Sequence, residues 1–153
     1  MGGGSDTVNT SVSYTLGAGQ EIEFLNSNLN LKPNAPGLTL TGNDFAQTIT
    51  GDAGADTIDG KGGADTMTGL GGNDTYYVDN PNDIVNEAIN GGALDRVFTS
   101  FSYTLGNGQE IEMLSAVNQA APIRSISTAT ASSTPSRAML ATTSSTAAAA
   151  TTR

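Results

Sequence analysis

Asp56, Asp65 and Asp74 stand nine residues apart. Each is the sixth residue of a nine-residue unit, and the three units read GDAGADTID, GKGGADTMT and GLGGNDTYY. Every unit opens with Gly (Gly51, Gly60, Gly69), has Gly at its fourth place (Gly54, Gly63, Gly72) and Thr at its seventh. Nine residues further on is Asp83, and nine back is Gln47, in a degenerate unit GNDFAQTIT. Eight Asp lie between Asp44 and Asp83, against one base, Lys61. Acidic side chains repeated at a fixed interval, with turn carbonyls between them, suit a hard cation. Ca²⁺ takes six to eight oxygens and tolerates irregular geometry, whereas Mg²⁺ dehydrates reluctantly. Zn²⁺ would call for His or Cys, and the chain has neither.

The same clock governs the elements that must hold these carboxylates. Two residues after each sixth position stands an apolar side chain: Ile49, Ile58, Met67, Tyr76 and Val85. Each unit therefore reads as a Gly-rich loop, an Asp, and a short strand with one residue turned inward. Nine glycines between Gly42 and Gly72 make the segment expensive to order. One inward side chain per unit is a poor apolar return. Stacked units would also align like charges. A bound cation relieves both difficulties.

The segment from Gly42 to Val85 resembles the haemolysin-type, or RTX, calcium-binding repeat, whose pattern is G-G-x-G-x-D-x-U-x with U apolar. The resemblance implies an all-β fold, a parallel β-roll (β-solenoid) with two nonapeptides per turn. It implies that units two apart share an ion, which pairs Asp56 with Asp74 and Asp65 with Asp83. Carbonyls around Gly51 to Gly54, Gly60 to Gly63 and Gly69 to Gly72 would complete the shells. Two departures stand out. Gln47 replaces Asp in the first unit, so a site with Asp65 should be weak there unless Asp44 substitutes. The last unit, VDNPNDIVN, has no Gly, so the Asp65/Asp83 site would borrow Asp79 or Asn80. Asp52 and Asp59, off the clock, are expected to be solvated. The resemblance further implies export by a type I secretion system and an extracellular location, with folding once calcium is met outside the cell.

A second, longer repeat flanks the array. GGGSDTVNTSVSYTLGAGQEIEFL (Gly2 to Leu25) recurs 89 residues later as GGALDRVFTSFSYTLGNGQEIEML (Gly91 to Leu114), with 17 of 24 positions identical. Each copy reads as a strand, a Gly turn and a second strand, a β-hairpin-like spacer. The expected organisation is a partial spacer over 1–31, a linker over 32–41, the calcium-binding β-roll over 42–90, a second spacer over 91–118, and a disordered Ser/Thr/Ala tail over 119–153. The nine-residue clock persists in that tail. Ala129, Ala138 and Ala147 are nine apart, as are Thr134, Thr143 and Thr152. Moving the frame back by one base turns Ala codons into the Gly, Ser, Arg or Cys class and Thr codons into the Asp, Asn, His or Tyr class. The tail thus reads as an out-of-frame translation of a further array.

Several functions are disfavoured. A formal net charge of −9 argues against nucleic acid. No apolar run approaches the roughly 18 residues of a membrane span. The start MGGGSDTVNT lacks the basic and apolar stretches of a signal peptide and reads as an entry into the middle of a longer design. Without His there is no H-E-x-x-H, and no G-x-S-x-G occurs. GLGGND lacks the third Gly of a dinucleotide loop, so no catalytic or cofactor-binding residue is assigned and the chain is not expected to be an enzyme. The reading is a calcium-binding structural module of a secreted protein. The alternatives are the C-terminal remnant of a secreted RTX protease, lipase or epimerase, or a segment of a repetitive adhesin or surface-layer protein.

Overall fold

The computed structural model describes residues 3–28, 35–89 and 91–116. Among the described residues eleven strands follow one another without a helix: β1 (Thr7–Thr10), β2 (Tyr14–Thr15), β3 (Phe24–Ser27), β4 (Thr39–Thr41), β5 (Thr48–Thr50), β6 (Thr57–Asp59), β7 (Thr66–Thr68), β8 (Thr75–Val78), β9 (Ile84–Asn86), β10 (Arg96–Thr99) and β11 (Met113–Ala116). They form two parallel sheets, ordered β1-β3-β5-β7-β9 and β11-β10-β8-β6-β4-β2. From β1 to β10 the chain alternates between the sheets, so two strands make one turn of a β-solenoid. The expected β-roll is the observed architecture.

The strands are short because only three or four residues in each unit lie between glycine-bearing loops. Their register is set by the single inward residue. In the first sheet Leu25, Ile49, Met67 and Val85 stack in line. In the second, Leu40, Ile58, Tyr76, Val97 and Leu114 do the same. All nine are at most 2% exposed. Threonines flank them in register, Thr39 beside Thr57 beside Thr75 and Thr48 beside Thr66. β-branched residues suit such half-covered strand positions. A one-residue slip would turn the whole apolar line outward, which fixes the register strongly.

The flanking modules depart from the hairpin expectation. β1 pairs with β3 in parallel, Val8 opposite Leu25, and β10 pairs with β11 in parallel, Val97 opposite Leu114. β2, between β1 and β3 in sequence, lies in the other sheet against β4. The Gly turn after β2 is real, with the Gln20 N–H donating to the Gly17 carbonyl at 3.2 Å and Gly19 at φ 77°. It links the two sheets instead of two neighbouring strands. Each spacer is thus a longer-looped turn of the same solenoid, and its strands share sheets with the repeats. The tail over 119–153, with its out-of-frame reading, lies outside the described residues, as do residues 32–34 of the proline-containing linker. Among the described residues no helix is long and apolar enough to cross a membrane.

Candidate metal centre

The loops line the two edges of the solenoid. One edge carries the turns leading into β5, β7 and β9, and with them Gln47, Asp65 and Asp83. The other carries the turns leading into β6, β8 and β10, and with them Asp56, Asp74 and Asp95. Units two apart are therefore stacked neighbours, as the pairing of Asp56 with Asp74 and of Asp65 with Asp83 requires.

Asp56, Asp65, Asp74 and Asp83 are at most 4% exposed. One oxygen of each fastens its coil to the coil before. The Leu38 N–H donates to Asp56 Oδ1 and the Asp56 N–H to Asp74 Oδ1, both at 2.7 Å. On the opposite edge the Gln47 N–H donates to Asp65 Oδ1 at 2.7 Å and the Asp65 N–H to Asp83 Oδ1 at 2.9 Å. In Asp56, Asp65 and Asp74 the other oxygen folds back over the first glycine of the same unit. A Cβ placed on Gly51, Gly60 or Gly69 would lie 2.2, 2.3 or 2.0 Å from Oδ2 of Asp56, Asp65 or Asp74. The unit opens with Gly because its Asp carboxylate needs that space.

The fourth-place glycines serve the stacking of loops. A Cβ on Gly54 would lie 2.7 Å from the Pro36 carbonyl oxygen, one on Gly63 2.4 Å from that of Phe45, and one on Gly72 2.2 Å from that of Gly54. Gly63 and Gly72 also hold φ near 103° and 110°, in the region open to glycine.

The carboxylates differ in how far backbone donors satisfy them. Asp56 Oδ2 accepts the Asp52 N–H at 2.7 Å, and Asp83 Oδ2 accepts the N–H groups of Asp79 and Asn80 at 3.3 and 3.1 Å. Oδ2 of Asp65 and Oδ2 of Asp74 are buried with no hydrogen-bond partner. Burial, and then the carboxylates of Asp83, Asp79 and Asp59, push the Asp65 carboxyl up to about 7. Burial, and then Glu87, Asp56 and Asp95, push Asp74 up to about 8. Backbone donation opposes these shifts without cancelling them. Burial also raises Asp56. A buried anionic oxygen with no donor is costly unless a cation meets it. The all-oxygen donor set fits Ca²⁺.

The departures from the repeat pattern have structural answers. Gln47 fills the Asp position with a neutral amide: its Oε1 accepts the Asn43 N–H at 3.1 Å, and its Nε2 donates to Asn43 Oδ1 at 2.7 Å. Asp44 is exposed and lies beside Gly62 of the next coil, where a Cβ would be 3.5 Å from its Oδ1. In the last unit the Asn80 side-chain amide donates to the Gly63 carbonyl, bridging the loops where glycine is missing. Asp59 is paired with Lys61 at 2.7 Å. Asp52 corrects the expectation of a solvated side chain. It is 4% exposed, and its Oδ1 accepts the Gly54 N–H at 2.7 Å, a local turn bond that draws the carboxylate into the loop.

Two acids outside the sequence-derived set join Asp74. Glu87 and Asp95 each bring a carboxylate oxygen within 4.8 Å of it and of each other. Their signals were present in the sequence. Glu87 stands 18 residues after Gly69, at a place that Gly otherwise fills, and Asp95 closes GGALD, a loop resembling GGAD and GGND.

Residues 41–76 match the model of the RTX calcium-binding nonapeptide repeat, in four copies. No curated protein and no solved structure matches the chain. The segment thus consists of RTX calcium-binding repeats, and the solenoid continues beyond the matched residues in both directions.

Proposed function

We propose that these repeats bind Ca²⁺ through Asp56, Asp65, Asp74 and Asp83, and that binding drives folding of a module belonging to a longer secreted protein. The observation that carries this reading is the pair of buried, partnerless oxygens, Asp65 Oδ2 and Asp74 Oδ2, one on each edge of the solenoid. They sit in oxygen-rich loops whose first glycines are cleared for them. Without a cation the loops must bury charge or take up protons. With one, the same groups bind coil to coil, and metal affinity becomes folding free energy. A chain that stays loose where calcium is scarce and folds where it is millimolar suits export in an unfolded form. The module's role is structural, not catalytic. The 89-residue duplication favours a long array, as in an adhesin or surface layer, over the tail of a single enzyme.

The test is a calcium titration of the full chain followed by circular dichroism. A cooperative gain of β signal is expected at up to millimolar Ca²⁺, with much less at equal Mg²⁺. A β signal indifferent to calcium would overturn the reading.

A further inference from the structure

The array ends in a way that the repeat pattern does not describe. Asp95 follows Asp74 by 21 residues, where the regular spacing between stacked Asp is 18. Asp95 nevertheless takes the next place in the ladder, since the Asp74 N–H donates to Asp95 Oδ1 at 2.7 Å. Within the enlarged loop, Glu87 replaces the opening glycine. Its side chain turns inward and is 4% exposed, while Asp74 and Asp95 are at 0%.

The three carboxylates converge, each offering an oxygen within 4.8 Å of the other two. Glu87 Oε2 accepts the Tyr76 hydroxyl at 2.5 Å, and Oε1 accepts the Ala88 N–H at 2.9 Å. Asp74 Oδ2 is aimed into this cluster. A Cβ on Gly69 would touch both it, at 2.0 Å, and the Tyr76 hydroxyl oxygen, at 2.4 Å. Asp74 Oδ2 is buried and accepts no hydrogen bond, an observation independent of the clustering. Carbonyl oxygens line the same place: a Cβ on Gly91 would lie 2.2 Å from Glu87 Oε1, 2.7 Å from the Leu70 oxygen and 3.0 Å from the Ala88 oxygen.

We propose that Asp74, Glu87 and Asp95 form a further Ca²⁺ site, which closes the array and fastens it to the spacer that follows. It differs from the repeat sites in recruiting a glutamate from the position that the repeat reserves for glycine. Three carboxylates with neighbouring carbonyls form an all-oxygen shell of irregular shape, which suits Ca²⁺ better than Mg²⁺. The site ties β8 of the array to its sheet neighbour β10 of the spacer, through Asp74 and Asp95, which lead into the two strands.

The proposal rests on the calcium reading of the array, and its test separates the two. Calorimetric titration of the full chain with Ca²⁺ compares wild type with Glu87→Gln, which keeps the side chain's shape and an acceptor for Tyr76. The expected result is one ion fewer, or one ion bound at least tenfold more weakly, with the others unchanged. The same number of ions at the same affinity overturns this site alone. No binding by wild type overturns it together with the repeat sites. Should Glu87→Gln not fold, Tb³⁺ emission excited through tyrosine decides. Tyr76→Phe keeps the ring in the core and should remove the larger share of that emission, and an unchanged emission overturns the site.

Discussion

Removing calcium should leave a chain whose stability falls as the pH rises. Asp65 and Asp74 hold their protons up to about 7 and about 8 in the folded state, against an ordinary value of 3.8. The unfolded chain sheds both protons as the pH passes about 4, while the folded chain keeps them until near 7 and 8. Between those limits the unfolded state binds fewer protons, so the folded state loses ground with each step in pH and then levels off. At about 1.4 kcal/mol per tenfold in proton affinity, ionising either group costs the folded state roughly 4 to 6 kcal/mol. Domain stabilities are typically about 5–15 kcal/mol, so this loss is enough to unfold a modest one. In calcium-depleted buffer, β signal and resistance to urea should therefore be greater near pH 4.5 than at pH 8. Saturating calcium should reverse the trend. The ionised carboxylates are then ligated, and acidification removes stability because protons compete with the metal. Circular dichroism at the two pH values, with and without calcium, reads all four states. A calcium-free chain equally folded at pH 4.5 and pH 8 would refute the account of the buried carboxylates.

Two further outcomes concern the frame that holds the site. Ile58→Ala, in the line between Leu40 and Tyr76 at 0% exposure, should lower the calcium-saturated stability to urea by about 2–5 kcal/mol, whereas Ile84→Ala, at 53% exposure, should change it by less than about 0.5 kcal/mol. Gly72→Ala should lose clearly more than Gly19→Ala. Both have positive φ, worth about 1–2 kcal/mol of strain, but only at Gly72 would the new Cβ meet the preceding coil, 2.2 Å from the Gly54 oxygen. Equal losses would show that loop stacking does not require that glycine.

How much could be read beforehand depends on how local the constraint is. The repeat was legible because three separate demands share one nine-residue clock: space beneath the carboxylate at Gly51, Gly60 and Gly69, close stacking at Gly54, Gly63 and Gly72, and one inward residue per strand. The spacers were misread because a strand, a Gly turn and a strand look alike locally whether the strands pair with each other or with coils a full turn away. Only the neighbouring coil decides. Asp52 was misread because its burial comes from a bond to the Gly54 N–H, a turn geometry that composition does not reveal. Glu87 escaped because its partner acids are 13 residues before it and eight after it, across an enlarged loop that breaks the clock.

The placement of the two spacer copies shows what the solenoid demands of its residues. β1 lies in the first sheet, and its copy β10, with Val97 in the place of Val8, lies in the second. Nine strand-to-strand steps separate them, an odd number, so near-identical sequences fall on opposite faces. Both fit because each pairs in the same way with a strand one turn on, Val8 with Leu25 and Val97 with Leu114. The two faces are therefore equivalent environments, and position along the stack matters more than choice of sheet. The carboxylate ladders follow the same rule. They run along both edges, on the same backbone donor, with a partnerless oxygen on each. A fold in which every half-turn repeats the same contacts has little stabilisation in any one of them, and it needs a bond between coils at each step. The carboxylates sit where a divalent cation would make that bond.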